Sequence, residues 1–421
     1  MKKILAAVLL FFSFLLVSCD TKPDNHFTIA TWAAGTELIE FTDIIREVNE
    51  EADGKYVVKT LSIPSDYYLK LATQIASRKG PELFWLTQEL VAKYAQMGTV
   101  VDLTDYLNAS ENLSVDDFYE GVIASTEWDG RYWGIPWIAN PFMVYYNKTM
   151  FDALDITAPG PTSDWTWEEF IDIGEQLSAS EYRGKEIYGT IIEGHPNIET
   201  FIWSGGGDII ANDGETVLLD SEGSIRGIGN LAKMLRNGVT PKFSKISYSR
   251  NVWFERQEVG MYIGGIQDDF ERKVQLMAEE DKFEIGYAPM PVAADGNSYA
   301  FDWTASTMIS SRVKNKDLAY EVLEALTLKF FNWKIAPPVK GRVDDIVSIY
   351  PSKALAAETM QYVLNTARSA NYVPEWGEIN DRFLWKGIYL PLLQNHNLDY
   401  ESVTKDMAAR MRQYLAKERE K

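Results

Sequence analysis

Apolar and polar positions follow two different periods along the first part of the chain. Runs rich in β-branched and aromatic residues at Phe27–Trp32, Tyr56–Ile63 and Pro81–Leu86 predict three short strands. Between them, apolar residues recur at helical spacing in Glu37–Asn49 and Asp66–Ser77, which predicts two helices. Strands that alternate with helices in this order indicate an α/β fold with a parallel sheet and right-handed crossovers.

The same alternation resumes after residue 165. Thr166 and Glu169 have the spacing of a capping box, which predicts a helix that ends near Leu177. Further strands are predicted at 187–191, 216–219, 259–263, 283–288 and 299–309, and further helices at 198–203, 221–235, 267–279, 316–328, 356–367, 379–395 and 399–417.

The passage Arg131–Lys148 interrupts the alternation with aromatic residues and prolines. The preceding Asp129-Gly130 pair is a strong hairpin signal, so we expect Trp128 and Tyr132 to face each other across two short strands. Pro136 and Pro141 cannot donate to a sheet, so we expect sheet pairing to be interrupted there and to resume at residue 142. We interpret this passage as a crossover between two sheets.

Two later proline-containing segments, 289–298 and 336–341, predict two further crossovers. A chain of 421 residues with 46% hydrophobic content exceeds what one core usually supports, so two lobes are expected. The crossovers assign 27–137 plus 296–338 to an N-terminal lobe and 138–295 plus 339–421 to a C-terminal lobe.

Residues 1–18 have the pattern of a signal peptide. Lys2 and Lys3 precede an apolar run, Ile4–Val17, that is short for a membrane span. The run leads into Cys19, the one cysteine of the chain, in a pattern that resembles a bacterial lipobox. We therefore expect export, lipidation of Cys19, and a tether over residues 19–26 that holds the protein at the cell membrane. The alternative is a cleaved signal peptide with an incidental cysteine.

Charge and composition exclude several classes of partner. The formal net charge is −20, which repels nucleic acid and anionic surfaces. No thiol remains for disulfides once Cys19 is acylated, and the three histidines His26, His195 and His396 are far apart in sequence. We expect no metal site, no cofactor and no nucleic-acid partner, and a monomer.

Several segments together are similar to one protein family, in the expected order along the chain. They are Gly80–Trp85, Val101–Thr104, Tyr132–Pro136, Tyr145–Phe151, Trp165–Phe170, Ser204–Asp220, Phe283–Pro291 and Val313–Ala319. The set resembles the bacterial extracellular solute-binding protein family 1, the sugar-type substrate-binding lipoproteins of ATP-binding-cassette importers. Two departures are that Ile266 stands where a tryptophan often follows the glycine, and that Arg342 replaces a more usual apolar residue or proline.

The resemblance implies a two-lobed periplasmic-binding-protein fold of type II, with three crossovers and a ligand cleft between the lobes. It also implies a non-catalytic protein that captures a carbohydrate, closes around it by hinge bending and delivers it to a membrane permease. The same fold with a non-sugar solute, such as iron, a polyamine or a phosphate ester, stays open. A glycosidase would need two carboxyls at a defined separation, and no pair stands out from the 61 acidic residues.

A sugar presents C–H faces to aromatic rings and hydroxyl edges to carboxylates, amides or arginine. Ligand loops are expected at the carboxyl ends of the parallel strands. Several candidates have structural alternatives: Trp85 and Tyr145 as core residues, Asp66 as a helix cap, Asp208 as a turn residue and Arg342 as a surface partner of Asp344 or Asp345. The candidate ligand-binding residues are Trp32, Glu37, Asp66, Tyr67, Trp85, Gln88, Trp137, Asn140, Tyr145, Trp203, Asp208, Asp302, Trp303, Arg342 and Trp376.

Overall fold

The computed structural model of the protein describes residues 23–334 and 336–420. The predicted signal peptide and Cys19 lie outside these residues. Within the described ranges, no helix has the length and apolar character that crossing a membrane requires.

One mixed sheet runs through the molecule, in the order β10-β6-β11-β3-β1-β2, with β9 pairing with β6 and β12 with β11. Two short hairpins, β4-β5 and β7-β8, stand apart from it. The strands are β1 His26–Thr31, β2 Val57–Ser62, β3 Leu83–Thr87, β4 Glu127–Trp128, β5 Arg131–Tyr132, β6 Ile135–Asn147, β7 Glu181–Tyr182, β8 Lys185–Glu186, β9 Met261–Gly265, β10 Ile285–Ala288, β11 Ala300–Ile309 and β12 Ala367–Arg368.

Helices cover the sheet and connect its strands. The longer α-helices are Gly35–Glu51, Tyr67–Ala76, Gln88–Gln96, Trp167–Ser178, Glu222–Arg236, Lys316–Phe330, Ala357–Asn365 and Tyr400–Arg419, and Ile379–Tyr389 is a π-helix. The shorter α-helices include Thr104–Ala109, Glu120–Ala124, Lys148–Ala153, Ile198–Ser204, Arg250–Glu255, Phe270–Gln275, Val343–Ile349 and Leu390–Gln394.

The predicted parallel unit at the start of the chain is confirmed. Strand β1 pairs in parallel with β2 on one side and with β3 on the other. The predicted capping box is also present: the Thr166 side chain accepts from the Glu169 N–H, and the Glu169 carboxylate accepts from the Thr166 N–H. Local sequence signals therefore fix these elements.

Strand β6 corrects the expectation that prolines interrupt the sheet near residue 140. It continues over thirteen residues, and both prolines pair with β11, Pro136 opposite Ser306 and Pro141 opposite Asp302, although the pairing register shifts beside Pro136, between Ala305 and Ser306. Pro141 is the last residue of β6 that pairs with β11, and Phe142 is the first that pairs with β9. The second proline thus marks a change of partner strand.

Three other local predictions are corrected. In the hairpin, Trp128 lies opposite Arg131 and Glu127 opposite Tyr132, because a two-residue turn pairs the residues that flank it. The strand expected at 187–191 is reduced to a single bridge between Tyr188 and Val259. The helix expected at 267–279 is broken at Asp269, whose left-handed backbone separates a 3₁₀ turn from the helix Phe270–Gln275.

Two hydrophobic clusters divide the interior, and the long strands pass from one to the other. In β6, Ile138 belongs to one cluster, called here the first cluster or first core, and the next residue, Ala139, belongs to the other, called the second cluster or second core. In β11, Phe301 belongs to the second cluster and Ala305 to the first. The middle of both strands therefore lies at the boundary between two cores, where a cleft between lobes would open.

Candidate ligand cleft between the two cores

Five tryptophans gather on the first-cluster side of this boundary. Trp85 and Trp137 form its centre, with ring centroids 4.3 Å apart and side chains that are 0% and 2% exposed. The indole N–H groups of both rings lack a hydrogen-bond partner among the described residues. Trp333 stacks on Trp137 at 5.7 Å. Trp85 and Trp137 are therefore core residues, which is the structural alternative predicted for Trp85.

Trp32 and Trp303 complete the group and are partly exposed, with ring centroids 6.4 Å apart. Trp32 leans edge-on against Trp85 at 4.9 Å and against Tyr67 at 5.3 Å. The Tyr67 hydroxyl is buried, donating to the Ala30 carbonyl and accepting from the backbone N–H of Trp85. Trp32 and Trp303 are therefore the rings of this group that offer a face to a ligand.

Gln88 joins the two sides of the boundary. Its amide Nε2 donates to the Asp302 carbonyl at 2.7 Å and to the Tyr372 hydroxyl at 2.8 Å. Its Oε1 accepts from the Thr304 hydroxyl at 2.7 Å and from the Thr304 N–H. Gln88 begins a helix of the first core, whereas Tyr372 follows β12 beside residues of the second core. The contact therefore bridges the two halves of the molecule.

Asp302 is the third residue of β11 and is fully buried. Its Oδ1 accepts from the Asn140 N–H at 2.7 Å, and its Oδ2 has no hydrogen-bond partner among the described residues. Burial raises the pKa of Asp302 to about 7, against the smaller opposing effect of the Asn140 bond. Among the described residues, one oxygen of this carboxyl thus has a hydrogen-bond partner and the other has none.

A second set of polar groups approaches from the other core. Glu199 is 3% exposed, and burial, with smaller contributions from Asp208 and Glu89, raises its pKa to about 7. Burial also raises the pKa of Glu89, the residue after Gln88. Because Glu89 comes from the first core and Glu199 from the second, acidic groups of both halves face one space.

Trp203, Asp208 and Arg368 form the outer part of this set. Arg368 donates to Asp208 Oδ2 at 2.7 Å and lies over the rings of Trp203, at 4.7 Å, and Tyr299, at 4.6 Å. Trp203 is fully buried and stacks on Phe301 with centroids 6.1 Å apart. The Arg368 guanidinium, paired with Asp208, therefore covers one face of the Trp203 ring, and Phe301 packs against another part of the same ring.

The hinge side of the cleft is tied together by Asn140. Its Oδ1 accepts from the Gln267 N–H at 3.0 Å, and a side chain at Gly265 would collide with the Asn140 amide. Tyr145, further along β6, is fully buried and donates to the Gly265 carbonyl at 3.1 Å. Tyr145 thus supports the glycine loop from inside the second core, in the position of its structural alternative.

The other four residues that were predicted to bind the ligand lie outside the tryptophan group and the sets of polar groups described above. Glu37 pairs with Lys334 at 2.7 Å, beside the third crossover. Asp66 is exposed and occupies the N-cap position of the helix Tyr67–Ala76, as its alternative expected, although its side chain makes no capping hydrogen bond. Arg342 donates to Asp345 at 2.9 Å, as its alternative expected. Trp376 is 3% exposed and packs edge-on against Tyr372 at 4.7 Å.

Four cleft residues escaped the sequence reasoning: Glu89, Glu199, Arg368 and Tyr372. Glu89 directly follows the predicted Gln88, in the first turn of the helix that begins at the carboxyl end of β3, so its position was a usable signal. Glu199 occupies the first turn of a helix, where acidic residues are common for local reasons. Arg368 is the second residue of the two-residue strand β12, which no periodic pattern predicts, and Tyr372 lies four residues beyond it.

A crevice of about 760 Å³ opens next to the cleft, between the β4-β5 hairpin and the segment after β12. Trp128, the turn 212–215, Ser369 and Tyr372 line it, with Arg419 at one side. Tyr372 therefore borders this crevice while its hydroxyl is bound to Gln88.

Over the described ranges, no group of three or more histidine, cysteine or acidic residues is arranged to hold a metal ion.

Two cores crossed by shared strands, with polar and aromatic groups converging between them, define a two-lobed binding protein. The chain belongs to the bacterial extracellular solute-binding protein family, whose sequence model matches residues 35–329. The family and the fold are those of transport solute-binding proteins, which are not enzymes. The predicted family and fold class are thereby confirmed.

Individual relatives agree with this assignment. A protein of Brucella abortus (strain 2308), described as a binding protein, is 27% identical over 382 residues, which cover 87% of this chain and 88% of the relative. The sugar-binding protein MalE of Xanthomonas citri has a similar structure, with a TM-score of 0.76 at 18% identity, covering 94% of this chain and 98% of its own. A substrate-binding protein of Listeria monocytogenes in complex with cycloalternan gives a TM-score of 0.75 at 18% identity, covering 93% and 99%.

Proposed function

We propose that the protein captures a carbohydrate between its two lobes and delivers it to the membrane permease of an ATP-binding-cassette importer. The observation that carries this proposal is the pair of partly exposed rings Trp32 and Trp303, with centroids 6.4 Å apart, together with the partly exposed Tyr372, whose hydroxyl is bound to Gln88. Rings of this kind pack on the C–H faces of a sugar, and amides and carboxyls bind its hydroxyls. The sugar-binding description of the Xanthomonas protein and the cycloalternan bound to the Listeria protein support the same class.

The lobes of the proposal are residues 27–137 plus 296–338 and residues 138–295 plus 339–421. In this assignment Gln88 belongs to the first lobe and Tyr372 to the second, and the hydrogen bond of 2.8 Å between them joins the two lobes. A ligand that contacts both faces stabilises the closed state by the contacts that exist only in that state. This differential affinity is what would let a permease distinguish loaded protein from empty protein.

The proposed attachment is a lipid anchor on Cys19, with the folded body facing the outside of the cell membrane as a monomer. Acyl chains contribute about 0.8 kcal/mol per buried methylene, so several chains on one residue hold a protein firmly. Cell fractionation tests this part: Cys19→Ser should move the protein from the membrane fraction to the soluble exported fraction. An unchanged distribution would contradict the anchor and leave the ligand proposal untouched.

A thermal-shift screen of mono- and oligosaccharides tests the binding proposal. A ligand at 100 times its dissociation constant adds about 2.7 kcal/mol of stability, which is easily measured. Trp303→Ala should weaken binding of the best saccharide, whereas Trp133→Ala, a change at a partly exposed tryptophan of the hairpin region, should leave affinity unchanged. Hydrolysis of a glycoside by the purified protein, or equal effects of the two changes, would refute the proposal.

A further inference from the structure

The end of the first lobe that lies opposite the cleft carries a group of exposed cations. Strand β1 runs from His26 at this end to Thr31 beside the cleft, and a strand of six residues spans about 17–20 Å. Strand β11 is antiparallel to β3, with Ile309 opposite Leu83, so the loop before β3 and the loop after β11 meet at this end. Four exposed cations of these two loops, which we call the basic pole, are Arg78, Lys79, Arg312 and Lys314.

Direct contacts hold the two loops of the basic pole together. Arg312 Nη1 donates to the Ile75 carbonyl at 2.9 Å, and the backbone N–H of Arg78 donates to the same carbonyl at 3.1 Å. Arg312 and Lys314 also line a cavity of about 320 Å³ together with residues 80–82 of the other loop. The cations of both loops therefore belong to one surface.

The basic pole has more cations than carboxylates, although the net charge of the whole chain is −20. Two carboxylates line its cavity, Glu82 and Asp24, and Asp24 pairs with Lys314 at 2.8 Å. The other three cations of the basic pole form no ion pair with the residues that the structure describes. The acidic groups around the cleft lie at the far end of β1, beyond the Debye length of about 8 Å at physiological ionic strength. A surface that touches the basic pole therefore interacts mainly with its cations.

The proposed lipid anchor is attached to the protein beside the basic pole. Pro23, the first described residue, is exposed and lines the same cavity as Arg312 and Lys314. Cys19 precedes Pro23 by four residues, which span at most about 14 Å in any conformation. A lipid on Cys19 therefore keeps the basic pole close to the membrane surface.

We infer that the basic pole binds the headgroups of anionic phospholipids and holds the first lobe against the membrane with the cleft turned outward. The inference rests on the lipid anchor of the proposed function. Acyl chains hold the protein at the membrane, and cations next to the anchor add attraction to an anionic surface and set the orientation of the folded body. The cleft, at the other end of β1, then opens to the medium from which the solute arrives.

Vesicle flotation of the exported Cys19→Ser chain tests the inference without the lipid. The vesicles contain phosphatidylglycerol and phosphatidylcholine in equal parts, or phosphatidylcholine alone. At about 50 mM salt the ratio of bound to free protein should be much higher on the anionic vesicles, and about 500 mM salt should remove the difference. Arg78→Gln combined with Lys79→Gln should lower the ratio on anionic vesicles about 25-fold, at about fivefold for each cation.

Lys405→Gln combined with Arg410→Gln is the matched control. Both residues are exposed on the helix Tyr400–Arg419 of the second lobe, so the double change removes the same charge at another place. The control should leave the ratio unchanged, and melting curves show first that each double variant is folded. A fluorophore on Ser77→Cys, beside the basic pole, should transfer energy to labelled headgroups more efficiently than one on Lys405→Cys.

The outcomes separate this inference from the proposed function. Equal binding to neutral vesicles, no binding to either kind, or an equal loss in the two double variants would overturn the inference. Displacement by inorganic phosphate at the concentration of the lipid phosphate would also overturn it, because the site would then bind a free ion. High salt removes headgroup contacts and leaves acyl chains in place, so fractionation of the wild type and Cys19→Ser in high salt tests the anchor alone. The carbohydrate proposal is tested by the thermal-shift screen and is independent of both results.

Discussion

Replacing Asp302 by asparagine is expected to stabilise the protein at pH 8 and to leave its stability almost unchanged at pH 4. Burial raises the pKa of this carboxyl from 3.8 to about 7, so the folded state holds its proton more tightly than the unfolded chain does. At about 1.36 kcal/mol per pKa unit, the shift corresponds to about 4 kcal/mol. That stability is fully present below pH 3.8, and it is lost as the pH rises through 7.

The asparagine removes the ionisation and keeps the oxygen that accepts from the Asn140 N–H. Its amide donor replaces the unpartnered Oδ2 and costs about 1–3 kcal/mol when buried alone. In acid the protonated carboxyl of the wild type has an unpaired O–H at the same place, so the two proteins nearly match. At pH 8 the wild type has lost about 4 kcal/mol that the variant keeps, so the variant is expected to be more stable by about 4 kcal/mol.

Urea unfolding of the two proteins at pH 4 and pH 8 measures this gain. Asp43→Asn is a matched control, because Asp43 is exposed on a helix and pairs with Arg46 at 3.3 Å. The control should shift stability by less than about 1 kcal/mol at either pH. An Asp302→Asn variant whose stability differs from wild type by the same amount at both pH values would refute the reasoning, because the pKa of Asp302 would then not be raised.

Three further predictions concern packing and local structure. Lys353→Met should cost about 3–5 kcal/mol in urea unfolding, because Glu271, at 2.6 Å, and Asp269, at 3.1 Å, would lose their buried cation; a loss below about 1 kcal/mol would contradict this. Trp85→Ala should cost about 3–5 kcal/mol by leaving a cavity, and full stability of that variant would place the ring outside the core. Thr166→Ala should cost about 1 kcal/mol through the lost helix cap, measured in the same way, and a neutral result would contradict the cap.

The sequence predicts well those parts of the fold whose structure is decided by residues close to one another along the chain. The first three strands and their helices follow from apolar periodicity, and the helix after Thr166 follows from a four-residue capping pattern. The family resemblance added the two-lobed arrangement. Strand β6 was predicted wrongly near its prolines because proline lacks only the N–H, and a strand with different partners along its length can still continue through both positions.

The cleft was harder to predict because its contacts join distant residues. Gln88 was singled out as a ligand residue, but nothing local indicates that its amide binds the Asp302 carbonyl and the Tyr372 hydroxyl. Glu89 and Glu199 are ordinary helix-start residues by sequence, and only the fold brings them together. Burial is likewise a property of the assembled cores, so the enclosure of Trp203 and Trp376 could not be recognised from the sequence.

Strand β6 also constrains how this protein can vary in evolution. One pleated strand carries side chains of both cores, and successive residues point to opposite faces. An inserted or deleted residue near Ala139 would turn every later side chain of the strand to the wrong face, so the second core would lose its packing at once. Length changes should therefore be rejected in this crossover and accumulate in the loops outside the sheet.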